Sequence, residues 1–150
     1  MGHNRCESMA PPVAPMSDFL NHLQDCNFVL VSNREPYEHV HGRDGIDINT
    51  PAGGVVSALD PTLRRMHGTW VAWGSGSADS EVTDECGRVR VPPGEESYVL
   101  RRVWLEQHEV ESYYDGFANR SLWPLCHMLI QHFEYRNEYW ERYRAVNLRF

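Results

Sequence analysis

Apolar positions along this chain follow two rhythms. Phe28 to Ser32 is a short continuous apolar run, the pattern of a parallel strand buried on both faces, and Thr69 to Trp73 is a second strand. Between them Val56, Leu59, Leu63 and Met66 recur on one side of a helix over Gly54 to Met66. Asp60-Pro61 leaves that stretch open to two readings, since Asp suits the cap and Pro the first turn of a new helix: two short helices, or one kinked helix. Arg88 to Val91 alternates charged and apolar residues and Tyr98 to Leu105 is rich in β-formers, which predicts an exposed strand pair joined through Pro92-Pro93-Gly94. Helical spacing returns with Leu122, Leu125, Leu129 and Phe133, capped by Ser121, with Pro124 tolerated in the first turn. A last helix runs from Glu138 with Tyr139, Tyr143, Val146 and Phe150 on one face. Neither Gly, Pro nor a cap closes it, so the chain reads as a fragment of a longer protein.

Polar segments divide these elements. Residues 1 to 15, with Pro11, Pro12 and Pro15, read as a disordered extension, and Ser17 is placed to cap a short helix through Asp25 with Phe19, Leu20 and Leu23 on one face. Residues 1–26 are therefore expected to be a disordered or helical extension, and 27–150 the beginning of an α/β domain. Residues 35 to 52, rich in Gly, Asp and His, predict a long loop of the kind that is functional or mobile. Gly74-Ser75-Gly76-Ser77 predicts a turn.

Composition narrows the function. At 150 residues, 41% hydrophobic and 23% charged, the chain has the make-up of a globular protein with one real core. The formal charge of −7 argues against nucleic acid as a partner, so any anionic ligand must be met by local cations. No apolar run is long enough to span a bilayer, and Met1 to Asp25 has no apolar h-region, so a cytoplasmic location and no membrane partner are expected. Cys6, Cys26, Cys86 and Cys126 are far apart and form no CxxC pair, which predicts reduced thiols.

The candidate chemistry gathers at the carboxyl ends of the strands, where α/β domains bind phosphate-bearing ligands. Val29-Leu30-Val31-Ser32-Asn33-Arg34 ends the first strand in a guanidinium, and Pro51-Ala52-Gly53-Gly54-Val55-Val56 opens a helix on a glycine pair. If both loops rise from that edge, Arg34 and the N–H groups at Gly53 and Gly54 converge on one anion cleft. The alternative for Arg34 is a surface ion pair. Gly74-Ser75-Gly76-Ser77 either cradles phosphate or is a flexible turn, and it lacks the Lys of a P-loop. His39-Val40-His41 has no third spaced ligand, so no metal site is expected. Tyr113, Tyr114 and Trp123 flank Gly116-Phe117-Ala118-Asn119 and serve either a sugar face and its phosphate or the core.

The ordered set Val31-Ser32-Asn33-Arg34, Gly53-Gly54-Val55, Thr69-Trp70-Val71-Ala72-Trp73-Gly74, Tyr113-Tyr114-Asp115-Gly116-Phe117-Ala118-Asn119, Leu122-Trp123-Pro124-Leu125-Cys126-His127 and Tyr143-Arg144-Ala145-Val146-Asn147 resembles the N-terminal lobe of the trehalose-6-phosphate synthase family, over Asn27 to Phe150. The resemblance implies the truncated, acceptor-binding Rossmann-like domain of a two-domain retaining glucosyltransferase. Such an enzyme moves glucose from UDP-glucose or a related nucleotide sugar to glucose 6-phosphate, with no metal, no cofactor and no covalent enzyme nucleophile. By that likeness Arg34 contacts the acceptor phosphate near the reacting diphosphate, and Gly53 and Gly54 approach the donor. Trp73, Tyr114 and Trp123 build the acceptor pocket, with Tyr114 donating to the phosphate. The complete enzyme is expected to act on small molecules, with a homo-oligomer open, and the isolated piece to be inactive. Glu35-Pro36-Tyr37 departs from the family pattern, as does the long loop before Gly53, and both leave room for another phosphorylated acceptor. A noncatalytic binding module is the reading from a different class.

Overall fold

The computed structural model describes residues 27–150, so the expected helix over Ser17 to Asp25 and the extension before it lie outside the described residues. Its centre is a four-stranded sheet. Strand β1 (Val29–Arg34) pairs in parallel with β4 (Thr69–Trp73), β4 in parallel with β6 (Tyr98–Val103), and β5 (Arg88–Val91) closes the far edge antiparallel to β6, giving the order β1-β4-β6-β5. Helix α1 (Gly54–Met66) crosses between β1 and β4 and puts Val56 and Leu63 into the core with Tyr37, Trp70, Ala72, Val91, Tyr98 and Leu100. This is the α/β architecture that the two rhythms predict.

Several expectations need correcting. The first strand extends past Ser32 to Arg34, and it is not buried on both faces: Val29 and Val31 are 58% and 53% exposed. The long loop of 35 to 52 contains a hairpin, β2 (Glu38–His41) antiparallel to β3 (Ile46–Asn49). Every position of β3 is exposed, so its short pattern carries no core signal. Of the two readings of Asp60-Pro61 the single helix is observed, with α1 running through and Pro61 inside it. Asp60 caps no helix; its carboxylate is enclosed and accepts from the Tyr37 hydroxyl (3.0 Å), the Tyr98 hydroxyl (2.6 Å) and Arg64 Nε (2.8 Å). Nor is the later strand pair merely exposed, because β6 lies inside the sheet with Tyr98, Leu100, Arg102 and Val103 buried, and it ends at Val103 rather than Leu105.

The largest departure is helical. A helical turn, α2 (Gln107–Val110), widens into a π-helical segment, π1 (Glu111–Leu122), and closes as α3 (Trp123–Cys126). Ser121, expected as a cap, sits inside this run, buried, with its hydroxyl donated to the carbonyl of Glu134. Leu129 and Phe133 fall outside it, because the chain turns at Met128 with φ of 55°. The final helix, α4 (Asn137–Asn147), starts one residue before Glu138 and crosses π1 at Gly116, where an added Cβ would meet the Tyr139 ring at 2.8 Å. Only glycine permits that approach. Phe117 packs against Trp140 and Tyr143 across the crossing. Among the described residues Cys86 and Cys126 carry free thiols, as expected of separated cysteines.

Candidate functional site

The sequence expectation that Arg34 and the glycine pair share one cleft is met at the carboxyl end of β1. A cavity of about 330 Å³ is lined by Ser32, Asn33, Arg34, Pro51 to Val56 and Tyr114. β1 supplies one wall, the first turn of α1 the second, and π1 the third. Arg34 is exposed, and among the described residues its guanidinium has no carboxylate partner. Gly53 stands at the N-cap of α1 with no side-chain cap on the helix. A Cβ added at Gly53 or Gly54 would meet nothing within 4 Å, so the space in front of the helix N-terminus is open. The first-turn N–H groups and the positive end of the helix dipole favour an anion there, and Arg34 offers a planar fork opposite.

The way β1 ends explains how Arg34 reaches the cavity. Val31 pairs with Val71, but Arg34 pairs with Trp73, three steps along β1 against two along β4, so one residue is inserted. The Ser32 hydroxyl donates to the Arg34 carbonyl at 2.7 Å and accepts the Trp70 indole N–H at 2.8 Å. The next residue, Asn33, accepts the Tyr113 hydroxyl on its Oδ1, which docks π1 on β1 and brings the neighbouring Tyr114 to the cavity. Tyr113 is buried, and burial among Tyr143 and Tyr114 pushes its phenol up to about 12, so it remains a donor at any working pH. Among the described residues, Asn33 Nδ2 and Trp73 Nε1 are buried donors without a partner, both at the cavity end of the sheet. Such groups are costly unless something completes them.

Trp73 and Trp123 are outside the cavity lining. Trp73 holds the position opposite Arg34 in the sheet, and Trp123, 51% exposed, stacks on the His127 ring at 4.1 Å.

Behind Arg34 the chain builds a second, dry cluster. Glu35, Asp79 and Arg102 are each buried, with Arg102 Nε 2.7 Å from the Glu35 carboxylate and Nη2 2.8 Å from that of Asp79. Nη2 also reaches the Tyr37 carbonyl at 2.9 Å and His39 Nδ1 at 2.8 Å. A guanidinium can only donate, so Nδ1 accepts and the imidazole is neutral. Burial and the nearby guanidinium push the His39 pKa down, in agreement. Burial and the Asp79 carboxylate push Glu35 up to about 8 against the pull of Arg102, so the cluster holds two carboxylates on one cation with a proton in reserve.

This cluster decides two sequence alternatives. The backbone N–H groups of Ser75 and Gly76 donate to Glu35 (2.8 Å) and Asp79 (2.7 Å), so the Gly74 to Ser77 turn is spent on internal carboxylates rather than a phosphate. His39 belongs to the cluster, and His41 pairs with Glu81 at 3.1 Å. Among the described residues no group of three or more His, Cys, Asp or Glu is arranged to hold a metal, and no helix is long and apolar enough to cross a membrane. Sequence reasoning missed Glu35, Asp79 and Arg102 because their partners lie 23 to 67 residues apart. A carboxylate next to the candidate Arg, followed by Pro, is the one signal that could have pointed inward.

Comparison with known proteins identifies relatives over most of the chain. The trehalose-6-phosphate synthase of Mycobacterium leprae (strain TN) is 42% identical over 130 residues, covering 86% of this chain and 26% of the relative. That of Mycolicibacterium vanbaalenii is 37% identical over 139 residues, 92% of this chain and 28% of the relative. The chain thus spans about a quarter of the length of these curated relatives. A solved structure described as trehalose-6-phosphate from E. coli bound with UDP-2-fluoro glucose superposes with a TM-score of 0.53 at 26% identity, over 79% of this chain and 22% of that one. The family model of glycosyltransferase family 20 matches residues 26–150, and the chain belongs to that family.

Proposed function

We propose that this chain forms the acceptor-binding part of a retaining glucosyltransferase that moves glucose from UDP-glucose, or a related nucleotide sugar, to glucose 6-phosphate. The observation that carries this reading is the single cavity shared by Arg34, the Gly53-Gly54 helix start and Tyr114. Each supports one part of the chemistry. Arg34 makes bidentate contact with the acceptor phosphate and lies close enough to the sugar-diphosphate to stabilise charge as the leaving group departs. The open backbone at Gly53 and Gly54 lets the donor approach the α1 N-terminus. Tyr114 donates its hydroxyl to the phosphate, while Trp73 and Trp123, outside the cavity lining, are given no contact with the acceptor in this reading. Neither a metal nor a cofactor is part of the proposal. The 150-residue chain alone is proposed to bind sugar phosphate without turnover, since it matches only about a quarter of the length of its relatives.

The test uses the protein as its gene encodes it, incubated with UDP-glucose and glucose 6-phosphate. Formation of trehalose 6-phosphate at a rate that EDTA leaves unchanged is the expected result. Product formed only with another phosphorylated acceptor replaces the acceptor assignment, and no transfer to any sugar phosphate overturns the reading. Arg34→Ala should raise the glucose 6-phosphate KM at least about tenfold, the value of one charge-assisted contact.

A further inference from the structure

We infer that Ser32 is a positioning residue: its hydroxyl latches the inserted residue of β1 and thereby aims Arg34 into the cavity. The inference rests on Arg34 meeting the acceptor phosphate. The latch has three parts. Trp70 is fully buried and its ring stacks on Tyr98 at 6.4 Å, so its indole N–H is a fixed point in the core. That N–H donates to Ser32 Oγ, and the Ser32 hydroxyl spends its own proton on the Arg34 carbonyl two residues on. With both sides of the hydroxyl used, the turn of backbone from Ser32 to Arg34 is held without help from the sheet ladder.

The geometry matters because side chains alternate along a strand. In an uninterrupted register Arg34 would pair with the residue after Trp73, and the inserted residue moves it back to face Trp73 itself. A one-residue change of register exchanges the faces that all later side chains present. Inserted residues of this kind commonly re-aim a side chain next to a site. Here the same insertion separates Arg34, exposed in the cavity, from Glu35, fully buried in the cluster. Without the inserted residue the alternation reverses, turning Arg34 away from the cavity and Glu35 away from Arg102, so the latch that holds the insertion sets the phase for both. Asn33 shares the benefit, since its carboxamide must point to Tyr113 for π1 to dock.

The test is a double-mutant cycle in the full gene product, read with UDP-glucose and glucose 6-phosphate. Ser32→Ala should raise the glucose 6-phosphate KM about fivefold in the wild-type background and by less than about 1.5-fold beside Arg34→Ala, because a residue acting through another has nothing left to act on. Ser32→Thr, which keeps the hydroxyl, should restore the KM to within about twofold. An equal factor in both backgrounds, or a Thr variant no better than Ala, overturns the inference. Arg34→Ala without effect sinks instead the phosphate reading on which it rests. A crystal structure of Ser32→Ala then decides the latch by itself: Arg34 displaced from the cavity supports it, and Arg34 unmoved opposite Trp73 overturns it.

Discussion

Arg34 and Arg102 stand at the same end of the same sheet and do opposite work. Arg102 is enclosed, and its guanidinium meets Glu35, Asp79, His39 and the Tyr37 and Asp79 carbonyls. Arg34, one residue from Glu35, is exposed beside an open cavity and, among the described residues, has no carboxylate partner. The difference teaches where each guanidinium puts its bonding capacity. A charge whose three nitrogens all meet buried partners locks the fold, and one without a carboxylate partner among the described residues is available to a ligand. Glu35 connects the two, since its carboxylate holds the end of β1 to the Ser75 turn and to β6 while leaving its neighbour outside.

Removing Arg102 should therefore hurt folding most. Arg102→Ala leaves two carboxylates buried without their cation, a loss of about 3–5 kcal/mol, and the protein should be largely unfolded at 37 °C by circular dichroism. A melting temperature within a few degrees of wild type would break the comparison. Arg34→Ala should show the reverse, a stability change under about 0.5 kcal/mol with a ligand-binding loss of roughly 1.5–3 kcal/mol. Parallel thermal melts and glucose 6-phosphate titrations separate the two, and a variant that loses both properties together would make Arg34 part of the scaffold.

What the sequence made legible follows the same division. The cavity-lining residues on β1 and at the start of α1 were readable because each sits in a local pattern, an apolar run ending in Arg and a glycine pair opening an amphipathic helix. The buried cluster was not, because Glu35, Asp79 and Arg102 come from three separate segments and no short-range pattern joins them. The β2–β3 hairpin escaped because its outer strand is exposed throughout and reads as loop. The π segment escaped for another reason. Its turns are wider than the usual helical period, so the apolar positions Tyr113 and Phe117 fall in step with those of an ordinary helix only briefly, and Leu129 and Phe133 seemed to continue a helix that had already ended at Cys126.

Glu35→Gln sharpens the comparison through pH. In the folded chain Glu35 is raised from 4.5 to about 8, so the folded state binds a proton more tightly than the unfolded state does. Its contribution to stability is complete below about pH 4.5, the unfolded value, and is lost as pH rises through about 8. The stability of wild type relative to Glu35→Gln should therefore fall with rising pH across that window. Denaturant melts of both proteins at pH 5, 6.5 and 8 measure it. A difference that is flat, or that grows with pH, would mean that Glu35 is ionised throughout and that the Arg102 attraction dominates its burial.

The smallest effect separates two adjacent tyrosines. Tyr113 is buried and donates to Asn33, whereas Tyr114 lines the cavity, yet each differs from Phe by one oxygen. Tyr113→Phe leaves Asn33 Oδ1 without its donor, beside an Nδ2 that already lacks a partner, and should cost stability by about 1 kcal/mol through the docking of π1 on β1. Because that docking also carries Tyr114, the glucose 6-phosphate KM should rise together with the loss of stability. Tyr114→Phe removes a hydroxyl that has no hydrogen-bond partner among the described residues, so the melting temperature should hold while the glucose 6-phosphate KM rises a few-fold and the UDP-glucose KM stays put, the mark of one neutral hydrogen bond of about 1 kcal/mol to the acceptor alone. Equal losses for both substrates in Tyr114→Phe, or a melting temperature that drops as far as that of Tyr113→Phe, would move Tyr114 from the cavity wall into the scaffold and leave Arg34 as the acceptor's sole side-chain contact from this set.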